Sequence, residues 1–139
     1  METYDCILFQ LTKASQAGSR YWNQKVAELN LTGAQAMVLR FLYESDFTTA
    51  NDLGKRTGLD SATLTGILDR LQTAGLIKRR PHKRDRRAIQ IELTEKGKKA
   101  GQRIYRLMKE ANEEFRTIFK DREQKSLRDF LMRIRANLG

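Results

Sequence analysis

The stretch from Thr49 to Leu93 constrains the fold most, because two helical patterns and a heavily basic hairpin follow one another there with almost no spacer. In the second pattern, Asp60 to Leu71, the residues Leu64, Ile67, Leu68 and Leu71 recur at helical spacing and predict one buried stripe. The opposite side carries Ala62, Gly66 and Asp69, flanked by Thr63, Thr65 and Arg70. A helix that only faces water would carry long Glu, Lys and Gln side chains. One that sinks into a DNA major groove needs short side chains, hydroxyls and an open N-terminus. This helix has them.

The hairpin adds charge to that surface. From Lys78 to Arg87 the chain sets Lys78, Arg79, Arg80, Lys83, Arg84, Arg86 and Arg87 against the single acid Asp85, so these residues hold more than half of the total charge of +10. Ala88, Ile89, Gln90, Ile91, Glu92 and Leu93 then alternate, which predicts a strand with one buried face. Leu76 and Ile77 open a shorter strand, and Pro81, unable to donate to a ladder, helps to end it. The outcome is a two-stranded wing with a cationic tip, on which His82 reads as a solvated residue.

Composition narrows the class. With 139 residues the chain suits one domain with a real core. Hydrophobic residues at 40% and charged residues at 32% fit neither a disordered chain nor a membrane-embedded one. The N-terminus lacks the pattern of a signal peptide and the lone Cys6 excludes an intramolecular disulfide, so a reducing cytoplasm is the expected location. Residues 1 to 77 carry slightly more acid than base, so the positive excess begins at the wing. That placement favours a polyanion such as double-stranded DNA over a membrane surface, which calls for a basic amphipathic helix. With one His, one Cys, no glycine-rich phosphate loop and no cluster of His and acid at metal spacing, no catalytic residue, metal or cofactor is expected, and the chain does not read as an enzyme.

Along the chain, Tyr4, Ile7, Leu8, Leu11, Ala14, Gly18, Tyr21, Trp22, Val26 and Leu29 predict one long amphipathic helix over the first thirty residues. It either folds back on its own domain or packs against a second subunit. Thr32 with Gln35 has capping-box spacing for a helix whose expected stripe is Met37, Val38, Phe41 and Leu42. Glu44, Ser45 and Asp46 form a polar break, Thr49 with Asp52 caps a short helix, and Gly58 is placed to end it. The turn Gly58, Leu59, Asp60 has helix-turn-helix length, so helix, turn, helix and hairpin make a winged helix. Thr94 is expected to cap a long helix that buries Ile104, Leu107, Met108, Ala111, Phe115, Ile118 and Phe119. Asp121 is expected to cap a final helix bearing Leu127, Phe130, Leu131, Ile134 and Leu138. The expected fold is therefore mainly α with a small β-wing. It is a single domain over 1–139, with a winged helix-turn-helix part at 32–94 and dimerisation helices at 1–30 and 95–139.

The order of elements and several residues resemble the MarR family of bacterial transcriptional regulators over essentially the whole chain. The most specific matches are Leu59 to Leu76, ending in Arg70, Leu71, Gln72, Thr73, Ala74, Gly75, Leu76, and the run Asp85, Arg86, Arg87, followed by a strand ending in Leu93, Thr94 with Gly97 beyond it. The resemblance implies a homodimer with intertwined terminal helices and two winged helices on a pseudo-palindromic operator. It also implies a repressor released by a small lipophilic or phenolic ligand or by cysteine oxidation. By position, Ser61, Ala62, Thr63, Thr65 and Gly66 match the family's major-groove face, Arg70 a backbone contact, Arg87 the wing arginine of the minor groove and Asp85 the acid that braces it.

Chemistry divides the roles in the same way. Ser61 and Thr63 suit phosphates, Thr65 a base edge, Gly66 close approach, and Arg87 a narrow A·T-rich minor groove. Arg79, Arg80, Lys83, Arg84 and Arg86 suit phosphates. Tyr21, Trp22, Phe41 and Tyr43 are either core or the lining of a pocket for a small-molecule effector. Cys6 is either a small core residue or the trigger of a peroxide or thiol sensor. A nonspecific architectural nucleic-acid-binding protein is the remaining alternative.

Overall fold

The computed structural model describes residues 1–45, 47–85 and 87–139, so the polar break at Asp46 and the phosphate contact expected of Arg86 lie outside the described residues. Six helices and three strands run in the order α1 (Ile7–Val26), α2 (Gly33–Glu44), β1 (Thr48–Thr49), α3 (Ala50–Thr57), α4 (Ser61–Thr73), β2 (Ile77–Pro81), β3 (Ile89–Leu93), α5 (Glu95–Arg116) and α6 (Asp121–Leu138). Contacts group the chain into Met1–Arg106 and Leu107–Gly139. None of the helices is long and apolar enough to cross a membrane, among the described residues.

Local chemistry sets most boundaries. The Thr32 hydroxyl accepts from the Gln35 N–H at 3.2 Å while the Gln35 side chain accepts from the Thr32 N–H at 3.0 Å, the reciprocal pair that satisfies two free donors at the start of α2. Thr49 caps α3 by accepting from the Asp52 N–H at 3.2 Å. Gly58, at φ 70°, takes the left-handed residue that closes α3. Asp60 caps α4, accepting from the Thr63 N–H at 2.8 Å and from the Thr63 hydroxyl at 2.7 Å. These two bonds to the ionised form hold its carboxyl below the usual carboxylate range.

The far end of α4 is locked into the start of α5. Gly75 (φ 74°) reverses the chain, with the Leu76 N–H returning to the Leu71 carbonyl at 3.0 Å and the Gly75 N–H to the Gln72 carbonyl at 2.9 Å. Thr94 then donates its N–H to the Leu76 carbonyl at 3.0 Å and its hydroxyl to the Gly75 carbonyl at 2.7 Å, and that hydroxyl accepts from the Gly97 N–H at 3.0 Å. A Cβ on Gly97 would collide with the Leu76 carbonyl oxygen. The leucine, threonine and later glycine of the sequence are therefore parts of one joint.

The core of the N-terminal unit is built from Val26, Val38, Leu39, Leu42, Leu53, Leu64, Leu68, Leu71, Ile77, Ile91 and Ile104, all buried. The α4 stripe is the expected one. In α2, however, the buried positions are Gly33, Gln35, Ala36, Val38, Leu39 and Leu42, whereas Met37 is 39% exposed and Phe41 half-buried. The true stripe includes a polar residue, Gln35, whose side chain is buried because the capping box consumes it. An apolar pattern shifts the face by one position.

Four other expectations change. The first thirty residues form α1 between two 3-10 turns, Thr3–Asp5 and Ala27–Leu29, the second ending at left-handed Asn30, and only Val26 of the expected stripe is buried. The sheet has a third strand, β1, in the order β1-β3-β2, all antiparallel, with Thr48 opposite Ile91 and Arg79 opposite Ile91 on the other side. In α5 the expected burial holds at Ile104 and Leu107, while Phe115 and Ile118 are exposed and the helix ends at Arg116, short of Ile118 and Phe119. Finally, α6 is capped at Lys120 rather than Asp121, because Glu123 accepts from the Lys120 N–H at 2.8 Å.

Two outcomes follow from these joints. Gly97→Ala should lower stability by about 1 to 3 kcal/mol, as overpacking against backbone does; urea denaturation showing no loss would contradict the α4–α5 joint. Asp60 binds fewer protons folded than unfolded in acid, so its contribution is complete above the ordinary carboxylate range and fades as pH falls through it. Asp60→Ala should lower Tm near neutral pH, with a gap from wild type that narrows below about pH 4. An undiminished gap in acid would exclude the capping role.

Candidate nucleic-acid interface

The surface of α4 turned away from the leucine stripe exposes Ser61, Ala62, Thr63, Thr65, Gly66, Asp69 and Arg70. Its two threonine hydroxyl protons are committed. Thr63 donates to Asp60 at 2.7 Å and Thr65 donates to the Ser61 carbonyl at 2.8 Å. Both threonines therefore offer lone pairs and methyl groups outward rather than a donor, which suits a thymine methyl better than a phosphate oxygen. A Cβ on Gly66 would meet nothing within 4 Å. The chain itself does not require glycine there, although a helix-interior glycine costs about 0.5 to 1 kcal/mol relative to alanine. Between α3 and α4 lies a hollow of about 440 Å³ whose lining includes Asn51 and Lys55 beside Ser61 and Thr65. Both are exposed. The sequence carries one signal for Lys55, a positive charge next to the turn.

The wing divides its cations. Arg79 leaves solvent: its Nη1 lies 2.8 Å from Asp69 Oδ1 and 2.8 Å from Gln72 Oε1, and its side chain is 25% exposed. The expected phosphate residue is thus engaged by α4 and ties β2 to that helix. Arg80 pairs with Glu92 across the ladder at 3.6 Å, with its guanidinium still largely in water. Lys78, Lys83, Arg84 and Arg87 are exposed.

At the tip, the Asp85 carboxylate accepts from the Arg87 N–H at 3.0 Å. His82, expected to be solvated, is half-buried, and its Nδ1 accepts from the Arg84 and Asp85 N–H groups at 3.1 and 3.2 Å. Nothing in the sequence pattern marks an imidazole as an acceptor for two amides. Of the alternating strand β3, Ile91 is buried but Ile89 is exposed, since the outer hairpin reaches past the core.

The aromatic set occupies separate settings. Tyr21 lies under the Lys25 ammonium, 5.7 Å away, Phe41 under the Arg56 guanidinium, 5.0 Å away, and Tyr43 packs against the backbone of Gly101 with Arg40 over its ring. Trp22 donates to the Gly33 carbonyl at 3.1 Å and, with Met37, lines a hollow of about 560 Å³ between α1 and α2. Cys6 is a half-buried free thiol at the start of α1.

Helix, turn, helix and cationic hairpin are held in one surface by Arg79, and comparison with known proteins agrees with that geometry. The MarR family model matches residues 29–88. The homoprotocatechuate degradative operon repressor of Escherichia coli is 30% identical over 128 residues, which is 92% of this chain and 86% of that protein. The organic hydroperoxide resistance transcriptional regulator of Bacillus subtilis (strain 168) is 33% identical over 70% of this chain and 66% of its own length. A crystal structure of a mutant MarR from Escherichia coli complexed with operator DNA is similar at a TM-score of 0.84 and 25% identity, covering 90% of each chain. The chain belongs to the MarR family of transcriptional regulators.

Proposed function

We propose that the protein is a homodimeric, sequence-specific repressor in the bacterial cytoplasm that binds a pseudo-palindromic operator and is released by a small lipophilic or phenolic ligand. The observation that carries the DNA reading is the open, short-side-chained face of α4 fastened to the cationic wing by Arg79. Ser61, Ala62, Thr63, Thr65 and Gly66 meet the major groove, Arg70, Arg80, Lys83 and Arg84 the phosphates, and Arg87 the minor groove, with Asp85 holding its backbone. Asn51 and Lys55 join the phosphate contacts. Support for a dimer comes from large apolar side chains left exposed near both ends of the chain, Tyr4, Ile7 and Leu8 at one and Phe115, Phe130 and Leu131 at the other. The hollow at Trp22 is the proposed ligand site, with Tyr21, Phe41 and Tyr43 nearby in sequence. A second reading, release by peroxide through Cys6, is favoured by the half-buried free thiol and the hydroperoxide regulator among the relatives.

Selection of duplexes from a random pool should return two half-sites. On the selected duplex, Arg87→Ala should cost about 1 to 3 kcal/mol of affinity and relax preference in the flanks. Gly66→Ala should raise the stability of the free protein by about 0.5 to 1 kcal/mol while weakening binding. Recovery of unrelated sequences, or a Gly66→Ala protein that binds as well as wild type, would refute the major-groove role.

A further inference from the structure

We propose that His82 is a positioning residue of the wing, holding the backbone that presents Arg84 and Arg87 only while its Nδ1 carries no proton. The proposal rests on the wing being a DNA contact. His82 directly follows Pro81, the last residue of β2, and its own N–H donates to the Ala88 carbonyl at 2.9 Å, closing the hairpin. Its Nδ1 accepts from the Arg84 N–H at 3.1 Å and from the Asp85 N–H at 3.2 Å. Asp85 passes the order on, its carboxylate accepting from the Arg87 N–H at 3.0 Å and its carbonyl from the Ala88 N–H at 3.1 Å. Acceptors therefore run from the imidazole to the backbone of Arg87, and each cation is presented from a residue whose N–H is held.

A ring nitrogen that accepts hydrogen bonds bears no hydrogen, so these two bonds require a bare Nδ1 and leave Nε2 to carry the ring proton. A second proton would turn Nδ1 into a donor pointed at two N–H donors, and the tip would have to open to relieve them. Among the charged residues of the same hairpin, Arg80, Lys83, Arg84 and Arg87 oppose an added positive charge, while Asp85 favours it and Glu92, which also favours it, is paired to Arg80. The two accounts of His82 differ in sign. A merely solvated imidazole gains a positive charge in acid and grips phosphates more tightly; a bracing one lets go of the tip, and binding weakens. His82 is the only histidine in the chain, which simplifies the assignment.

The test uses the full chain and its selected duplex at fixed ionic strength, from about pH 8 to about pH 5.5, the span in which imidazoles change charge. Wild type should weaken in acid by about tenfold, as expected from losing two modest hydrogen bonds. His82→Asn, whose Oδ1 takes the place of Nδ1 and does not titrate there, should bind as wild type does in alkali and keep that affinity in acid. His82→Gln, whose acceptor sits one bond further out, should bind weakly throughout. Tighter binding of wild type in acid, or equal behaviour of the Asn and Gln variants, would overturn the proposal. Should wild type bind no duplex at any pH, it is the DNA reading that fails. Nitrogen NMR of the His82 ring in the free protein then still decides the bracing: a proton on Nε2 is expected, and a proton on Nδ1 overturns it.

Discussion

The arrangement depends on one guanidinium. A two-stranded hairpin is marginal by itself in water, and β1 reaches only Ile91 and Gln90 of β3, so the hairpin beyond that point has no third strand behind it. At the register where β1 still backs β3, Arg79 ties the other edge of the sheet to α4, with charge-assisted bonds to Asp69 and Gln72. The pair is partly shielded, so it is worth more as a fixed orientation than as stability. It joins the short-side-chained helix directly to the hairpin that carries charge.

The same economy recurs at several polar groups of the helix-turn-helix and its joint to α5. Thr63 and Thr65 spend their hydroxyl protons on the helix and its cap, Asp60 accepts twice from Thr63, and Thr94 serves two segments with a single hydroxyl. Groups fixed before a partner arrives lose less entropy on binding. What remains uncommitted is spatial: open room at Gly66, and exposed cations at Lys83, Arg84 and Arg87.

The sequence made several of the repeats and caps legible. The α4 stripe, the caps at Thr32, Thr49 and Asp60 and the glycine at Gly58 each follow from a local rule, and each appears where the rule puts it. What escaped depends on contacts distant in the chain. β1 is two residues whose strand character comes only from pairing with β3. The buried face of α2 includes Gln35, which an apolar pattern discards. Arg79 looks like its neighbours until Asp69 and Gln72 are folded against it, and His82 looks like a surface residue until the turn brings two amides to its ring. Gly97 was noticed as a pattern, but its reason, the Leu76 carbonyl pressed against it, lies across the fold.

The most direct measurement of the central claim, that α4 and the wing form one rigid reading surface, is a footprint of the bound duplex probed separately in its two grooves. The account predicts major-groove protection in two half-sites about one helical turn apart, roughly 34 Å between centres, each accompanied at fixed spacing by minor-groove protection from the wing. Major-groove protection with no minor-groove companion, or even protection along the whole duplex, would contradict it.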